Sequence, residues 1–258
     1  MRVDGRRAAK GLLLKAGQSV EVEIREVATE VAAEPDVALT VLFEDSAMVA
    51  VDKPAGVPSH PLKPGELGTL GNALLARFPE CESASDDPRE VGLVHRLDTD
   101  TSGVLLAARS ADVWKTLRTA FTERRIDKTY LALASGPLAD SGDIDLPLLQ
   151  VGNRAKPNSA GREALSSFRV LRRKGSFSLV EVKILTGVMH QVRAHLAGIG
   201  APLVGDTLYG GLEDKLLGRF FLHASALGLS HPLTGLPWQV QAPLPPELDA
   251  AHARYLGP

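Results

Sequence analysis

Apolar and polar positions divide this chain into short runs with strand spacing and two stretches with helical spacing. Residues 39–43 and 48–51 are apolar runs on either side of a Glu44-Asp45-Ser46 turn, which predicts a pair of strands. Residues 104–108 are continuously apolar, as in a short strand buried on both faces. Residues 127–134, 167–171 and 177–185 alternate as antiparallel strands do, and 238–241 closes the series as an edge strand before Pro243, Pro245 and Pro246. Leu70, Leu74, Leu75 and Phe78 fall on one helical face within 69–78. Val113, Leu117, Ala120 and Phe121 do the same within 110–124, where Ser110 stands as an N-cap. Near the amino terminus, residues 3–6 and 14–22 suggest two short strands joined through turn-forming glycines. Residues 27–37 are acidic, contain Pro35 and lack periodicity, which predicts a linker, and 81–90 predicts a polar, mobile loop.

A chain of 258 residues with 44% hydrophobic content can bury a sizeable core, enough for one large domain or one domain with a small appendage. No apolar run reaches the roughly 18 residues of a membrane span, and the apolar piece at 11–14 is too short for a signal peptide. The expectation is a cytoplasmic protein. The single cysteine, Cys81, excludes an internal disulfide and a multi-cysteine zinc site. A formal charge of −2 does not announce a nucleic-acid binder, but the charge is uneven. Six acidic residues and no basic one lie between Glu26 and Asp45, whereas Arg154 to Lys174 carries seven basic residues against Glu163 alone. Such a local strip can steer a nucleic acid even in a near-neutral protein, and by itself reads equally as a solvated face.

Chemistry concentrates in a polar island between two apolar runs: His95, Arg96, Asp98, Asp100 and Thr101 beside Ser102-Gly103. Composition alone allows an ordinary turn there. The string His95-Arg96-Leu97-Asp98-Thr99-Asp100-Thr101-Ser102-Gly103, however, closely resembles the H-R-L-D-x-x-T-S-G motif of the RluA-type pseudouridine synthases, which isomerise uridines in ribosomal and transfer RNA. Further segments resemble that family in order. Lys53-Pro54-Ala55-Gly56 through His60-Pro61 is similar to its K-P-x-G-x-x-x-H-P segment beside the active site. Lys128-Thr129-Tyr130-Leu131-Ala132-Leu133 is similar to its K-T-Y-L-A-L motif, and 161–166 to a weaker segment. Thr186-Gly187-Val188-Met189-His190-Gln191-Val192-Arg193-Ala194-His195 resembles T-G-R-x-H-Q-I-R-x-H, with Val188 where the family usually has arginine. The resemblance runs from about Leu39 to Pro243.

It implies an α+β fold with a mixed, mainly antiparallel sheet, flanking helices and a central active-site cleft, the strand order coming from the family. It also implies a catalytic domain over residues 38–258, a linker at 31–37, and a partial alpha-L-like RNA-binding module or remnant at 1–30. The implied catalytic residues are Asp98, Tyr130 stacking on the target uracil, and Arg193 as the ion-pair partner of Asp98. The implied RNA contacts are His95, Arg96, Lys53, Lys128, His190 and Arg162. The remaining matches, 205–210 and 222–232, imply a structural part in shaping the cleft.

The implied reaction breaks a glycosidic bond, turns the base and rejoins it through carbon 5. It calls for one carboxylate acting on the ribose and involves no redox step, so no cofactor is expected. His190 and His195, five apart, would lie about 140° apart around a helix and could not share an ion, so no metal is expected. A Ser102-His95-Asp98 hydrolase is poorly supported, since the residues crowd one turn without a G-x-S-x-G elbow. A kinase reading fails for want of a glycine-rich loop and D-F-G. The remaining alternative is a non-catalytic RNA-binding or ribosome-assembly factor that keeps the fold. The expected partner is ribosomal or transfer RNA, without membrane or DNA, and the expected state is a monomer.

Overall fold

The computed structural model describes residues 2–8, 12–22 and 31–257. Three two-residue strands at the amino terminus, β1 (Arg2–Val3), β2 (Arg6–Arg7) and β3 (Val20–Glu21), form a small sheet ordered β2-β1-β3. Asp4 and Gly5 turn β1 into β2 through positive φ values of 50° and 74°, and the Asp4 carboxylate accepts from Ser19 N–H at 2.9 Å.

Residues 31–37, expected as a linker, are bound to the body of the protein. Val31 is buried in the main core, Asn72 Nδ2 donates to the Ala32 carbonyl at 2.7 Å, and Glu34 N–H donates to Asn72 O at 3.1 Å. The earlier part of that expectation, 27–30, lies outside the described residues.

The principal sheet is built from β4 (Thr40–Glu44), β5 (Met48–Lys53), β6 (Ser102–Ala108), β7 (Asp127–Ser135), β8 (Ser141–Asp145), β11 (Leu165–Lys174), β12 (Phe177–Ile184), β13 (Leu222–Ser230) and β14 (Pro237–Gln241). A separate hairpin joins β9 (Leu148–Val151) to β10 (Arg154–Pro157). The order across the sheet is β4-β5-β6-β13-β7-β12-β11-β8, with β14 paired to β13. Every pairing is antiparallel except β13 with β6, which meet in parallel at His223–Ser102 and Ala224–Gly103. Gly103 (φ 115°) is needed there, because a Cβ would lie 2.2 Å from Ala224 O. That close approach fixes the start of β6, and with it the turn that precedes it.

All residues of β6 are buried because both faces of the sheet are covered. Leu105 and Ala107 join one core with Leu70, Leu74, Ala132 and Val182. Val104, Leu106 and Ala108 join the other with Met48, Trp114 and Leu117. Each buried leucine, valine or methionine among them stabilises the fold by roughly 1.5–3 kcal/mol.

Helix α1 (Leu70–Arg77) starts with a reciprocal capping pair in which Thr69 and Asn72 satisfy each other's main-chain N–H groups. Helix α2 (Ala111–Thr122) is capped by Ser110, and Trp114 Nε1 and Arg118 Nη1 donate to the carbonyls of Leu93 and Val94 at 3.1 and 3.0 Å. Helix α3 (Gln191–Gly198) packs beside the β9–β10 hairpin, and α4 (Pro246–Leu256) closes the chain.

The prolines at 243–246 lead into α4 rather than ending the fold, because proline at the first helical position lacks only an N–H that has no partner there. Residues 81–90, expected as a mobile loop, contain two short 3-10 turns anchored by buried Cys81 and Ala84. Among the described residues no helix is long and apolar enough to cross a membrane.

Candidate active site

A turn at residues 98–101, closed by Thr101 N–H donating to Asp98 O at 3.0 Å, stands at the head of β6. Its main chain is gripped from beneath. Lys53 Nζ donates to the carbonyls of Thr99, Pro54 and Val57 at 2.8, 2.8 and 2.7 Å, and Gly56 N–H adds a second bond to Thr99 O at 2.9 Å. Arg219 Nη1 donates to Asp100 O at 2.9 Å, while its Nη2 reaches Ser102 Oγ and Glu247 Oε1 at 3.1 and 2.9 Å.

The expected RNA contact through Lys53 is therefore corrected. The residue is fully buried, and its three N–H groups already have three carbonyl partners. Burial pulls its ammonium down to about 7, opposed by the charges of Asp100 and Asp98.

Above the turn lies a chain of charges. Arg193, the third residue of α3, donates through Nη1 to Asp98 Oδ2 at 3.1 Å. Its Nε and Nη2 form a bidentate pair with Asp206 at 2.7 and 2.9 Å, and the guanidinium covers the Phe220 ring at 4.1 Å. Burial would lower the Arg193 pKa, but the bonds and charges of Asp206 and Asp98 more than reverse that and raise it. Asp206 is 1% exposed at its side chain, against 26% for Asp98, so the outer carboxylate faces solvent and the inner one serves the guanidinium. Asp206 was missed as a site residue, although the string Gly205-Asp206-Thr207-Leu208-Tyr209-Gly210 drew attention to its segment.

His190, at the amino-terminal cap of α3 with φ 56°, lies beside this pair. Its Nε2 is 3.7 Å from Asp98 Oδ2, and its Nδ1 is 3.0 Å from the Tyr209 hydroxyl. Burial lowers its pKa, with Asp98 opposing. Gln191 fixes the start of the helix by accepting from Thr186 Oγ1 and Val188 N–H and donating to Leu165 O. His195 points elsewhere, to Ser166 Oγ at 2.9 Å and Leu146 O at 3.0 Å.

The turn opens into a cleft of about 960 Å³ lined by Asp98, Tyr130, His190, Arg193, His95, Arg96, Lys128 and Arg162 among others. Tyr130 stands on β7 opposite Val182 of β12, 9% exposed, and burial followed by the charge of Asp98 pushes its hydroxyl above the ordinary range.

His95 and Lys128 form a drier wall. His95 Nε2 accepts from Leu106 N–H at 3.1 Å while the ring stacks on Phe121, and burial with the charges of Lys128 and Arg118 holds its pKa down to about 3. Lys128 Nζ donates to Thr186 O at 2.9 Å, and burial lowers it to about 8. Arg96 and Arg162 are exposed on the rim. Val188 packs against the apolar cluster of Leu148, Ala155, Ala164 and Ala194.

The basic strip expected over 154–174 is divided. Arg162 faces the cleft, whereas Arg169 pairs with Glu181 at 3.2 Å and Arg173 with Asp140 at 3.1 Å.

Residues 47–198 match the family model described as RNA pseudouridylate synthase. The chain is 36% identical to "Ribosomal large subunit pseudouridine synthase D" of Xanthomonas campestris pv. campestris over 96% of this chain and 78% of that protein. It is 34% identical to the protein of the same description from Pseudomonas aeruginosa, over 94% of this chain and 81% of the relative. Among solved structures it resembles "Human RNA Pseudouridylate Synthase Domain Containing 1" with a TM-score of 0.65 and 27% identity, covering 83% of this chain and 87% of that one.

Proposed function

This chain belongs to the RNA pseudouridylate synthase family and converts uridine to pseudouridine within RNA; on that premise, we propose that Asp98 is its catalytic carboxylate, Tyr130 its stacking platform and ribosomal RNA its substrate. The observation that carries the reading is the convergence of Asp98, Arg193 and Tyr130 at the floor of one cleft, from three elements far apart in sequence.

Isomerisation requires the N1–C1′ bond to break, the base to rotate, a C5–C1′ bond to form, the C5 proton to leave and N1 to take up a proton, so that the product has the formula of the uridine it came from. Uracil and ribose keep all their other atoms. The carboxylate acts on the ribose, and Asp98 is partly exposed toward the cleft, where a ribose can approach. Arg193 offsets the loss of water around that carboxylate and is itself held rigid by Asp206.

The target nucleotide has to leave its helix at a cost of a few kcal/mol. Stacking on an aromatic face such as Tyr130 returns about 1–3 kcal/mol. Arg96 and Arg162 on the rim meet backbone phosphates. The ribosomal substrate follows the descriptions of the two bacterial relatives. A non-catalytic assembly role draws no support from this geometry.

The test is Asp98→Asn, assayed for pseudouridine formation under single turnover alongside RNA affinity. The expected result is complete loss of product at nearly unchanged affinity. Retained turnover would overturn the assignment.

A further inference from the structure

We infer that His190 is a positioning residue for Asp98, held as the Nε2-protonated tautomer by Tyr209 so that it presents an N–H to Oδ2 and leaves Oδ1 for the ribose. The inference rests on Asp98 being the catalytic carboxylate.

The Tyr209 hydroxyl accepts from Ala155 N–H at 2.8 Å, so its own proton remains to be donated, and His190 Nδ1 lies 3.0 Å away. A neutral imidazole has one N–H and one acceptor nitrogen, and burial favours the neutral ring here. With Nδ1 accepting, the ring proton sits on Nε2, the nitrogen 3.7 Å from Asp98 Oδ2. His190 in this state is a donor to the carboxylate and cannot take the C5 proton at Nε2. The other charged groups facing the ring are Arg193, Asp206 and Arg96.

Arg193 Nη1 also approaches Oδ2, at 3.1 Å. With the Arg193 bond and the His190 N–H both directed at Oδ2, the arrangement assigns Oδ1 to the ribose. The 3.7 Å separation is longer than a hydrogen bond. It shortens when substrate seats, as catalytic contacts do on going from the free to the bound enzyme. The route for that movement is built in. Ala155 lies on β10, and its partner Gln150 on β9 lines the cleft, so RNA resting on the hairpin touches the strand pair whose N–H holds Tyr209.

The experiment uses the full chain and an in vitro transcript of large-subunit ribosomal RNA carrying tritium at uridine C5. Single-turnover tritium release is read beside filter-binding affinity and thermal melting. His190→Ala is expected to slow release about 10- to 100-fold, the scale set by a misplaced reacting group, with affinity unchanged. His190→Gln recovers most of the rate, since its amide nitrogen reaches the place of Nε2. Tyr209→Phe lowers the rate, and adding it to His190→Ala causes no further loss. If Tyr209→Phe fails to fold, the contrast between Gln and Ala at 190 carries the test.

Weakened RNA binding at a normal rate, or equal defects in His190→Gln and His190→Ala, would overturn the inference. If Asp98→Asn is inert while His190→Ala turns over normally, this inference alone falls. If Asp98→Asn stays active, both fall.

Discussion

The two sides of the 98–101 turn are held by cations in opposite ways. On the cleft side Arg193 meets carboxylate oxygens, those of Asp98 and Asp206. On the underside Lys53 and Arg219 meet the main-chain carbonyls of Thr99 and Asp100. A cation on a carboxylate compensates a charge, so its removal strands one. A cation on carbonyls fixes the backbone and leaves the side chain of Asp98 free for chemistry. The difference separates residues that tune the reactive group from residues that aim it.

The largest effect is expected from Arg193→Ala, which breaks a buried pair and typically costs about 3–5 kcal/mol. Activity should fall with it. In double-variant cycles by denaturant unfolding, Arg193 should couple more strongly to Asp206 than to Asp98, because Asp206 is 1% exposed and bidentate while Asp98 is 26% exposed. Strict additivity with both partners would show that the cleft side is not a charge-compensated network.

Lys53→Met comes next. It removes the donor shared by three part-buried carbonyls, of which that of Thr99 keeps its bond from Gly56 N–H, and should cost about 1–3 kcal/mol. The rate of the bound complex should drop while RNA affinity holds. Loss of affinity at an unchanged rate would return Lys53 to the RNA-contacting group and erase the contrast between the two sides.

Acidification tests the cleft wall. His95 sits at about 3 in the folded protein against roughly 6.5 in the unfolded chain. Between those values the unfolded state binds more protons, so stability is present above the unfolded pKa and falls as pH drops through it. At pH 5 the loss from His95 should be about 2 kcal/mol. The lowered values of His195 and His223 add in the same direction. Denaturant midpoints at pH 7.5 and 5 read the slope, and His95→Gln should flatten it.

The smallest effect belongs to Glu247→Gln. Its pair with Arg219 is 44% exposed on the glutamate side and should contribute only about 0.2–1 kcal/mol. The bond from Arg219 to Asp100 O survives, so the rate should stay within about twofold of the parent. A larger loss would mean that α4 aims the turn through this pair.

Much of this was legible in the sequence. Alternation located β7, β11 and β12, the continuous apolar run located β6, and helical spacing with Ser110 located α2. The motif strings pointed to Asp98, Tyr130 and Arg193, which the cleft brings together. Strands β8 to β10 and helix α4 escaped because short, polar or proline-led elements carry little periodicity. Lys53 misled because a lysine in a proline-rich loop has the same letter whether it faces RNA or three carbonyls.

The sequence by itself determined which positions face inward and which short strings carry chemistry, since side-chain period and local turn preference act over a few residues. Only the tertiary structure decided partners. The parallel meeting of β6 with β13, the burial of Asp206 behind Arg193 and the capture of His190 by Tyr209 join segments up to 121 residues apart or set one rotamer among several. Such choices follow from close packing and from satisfying every buried polar group, and those constraints act on the whole fold at once.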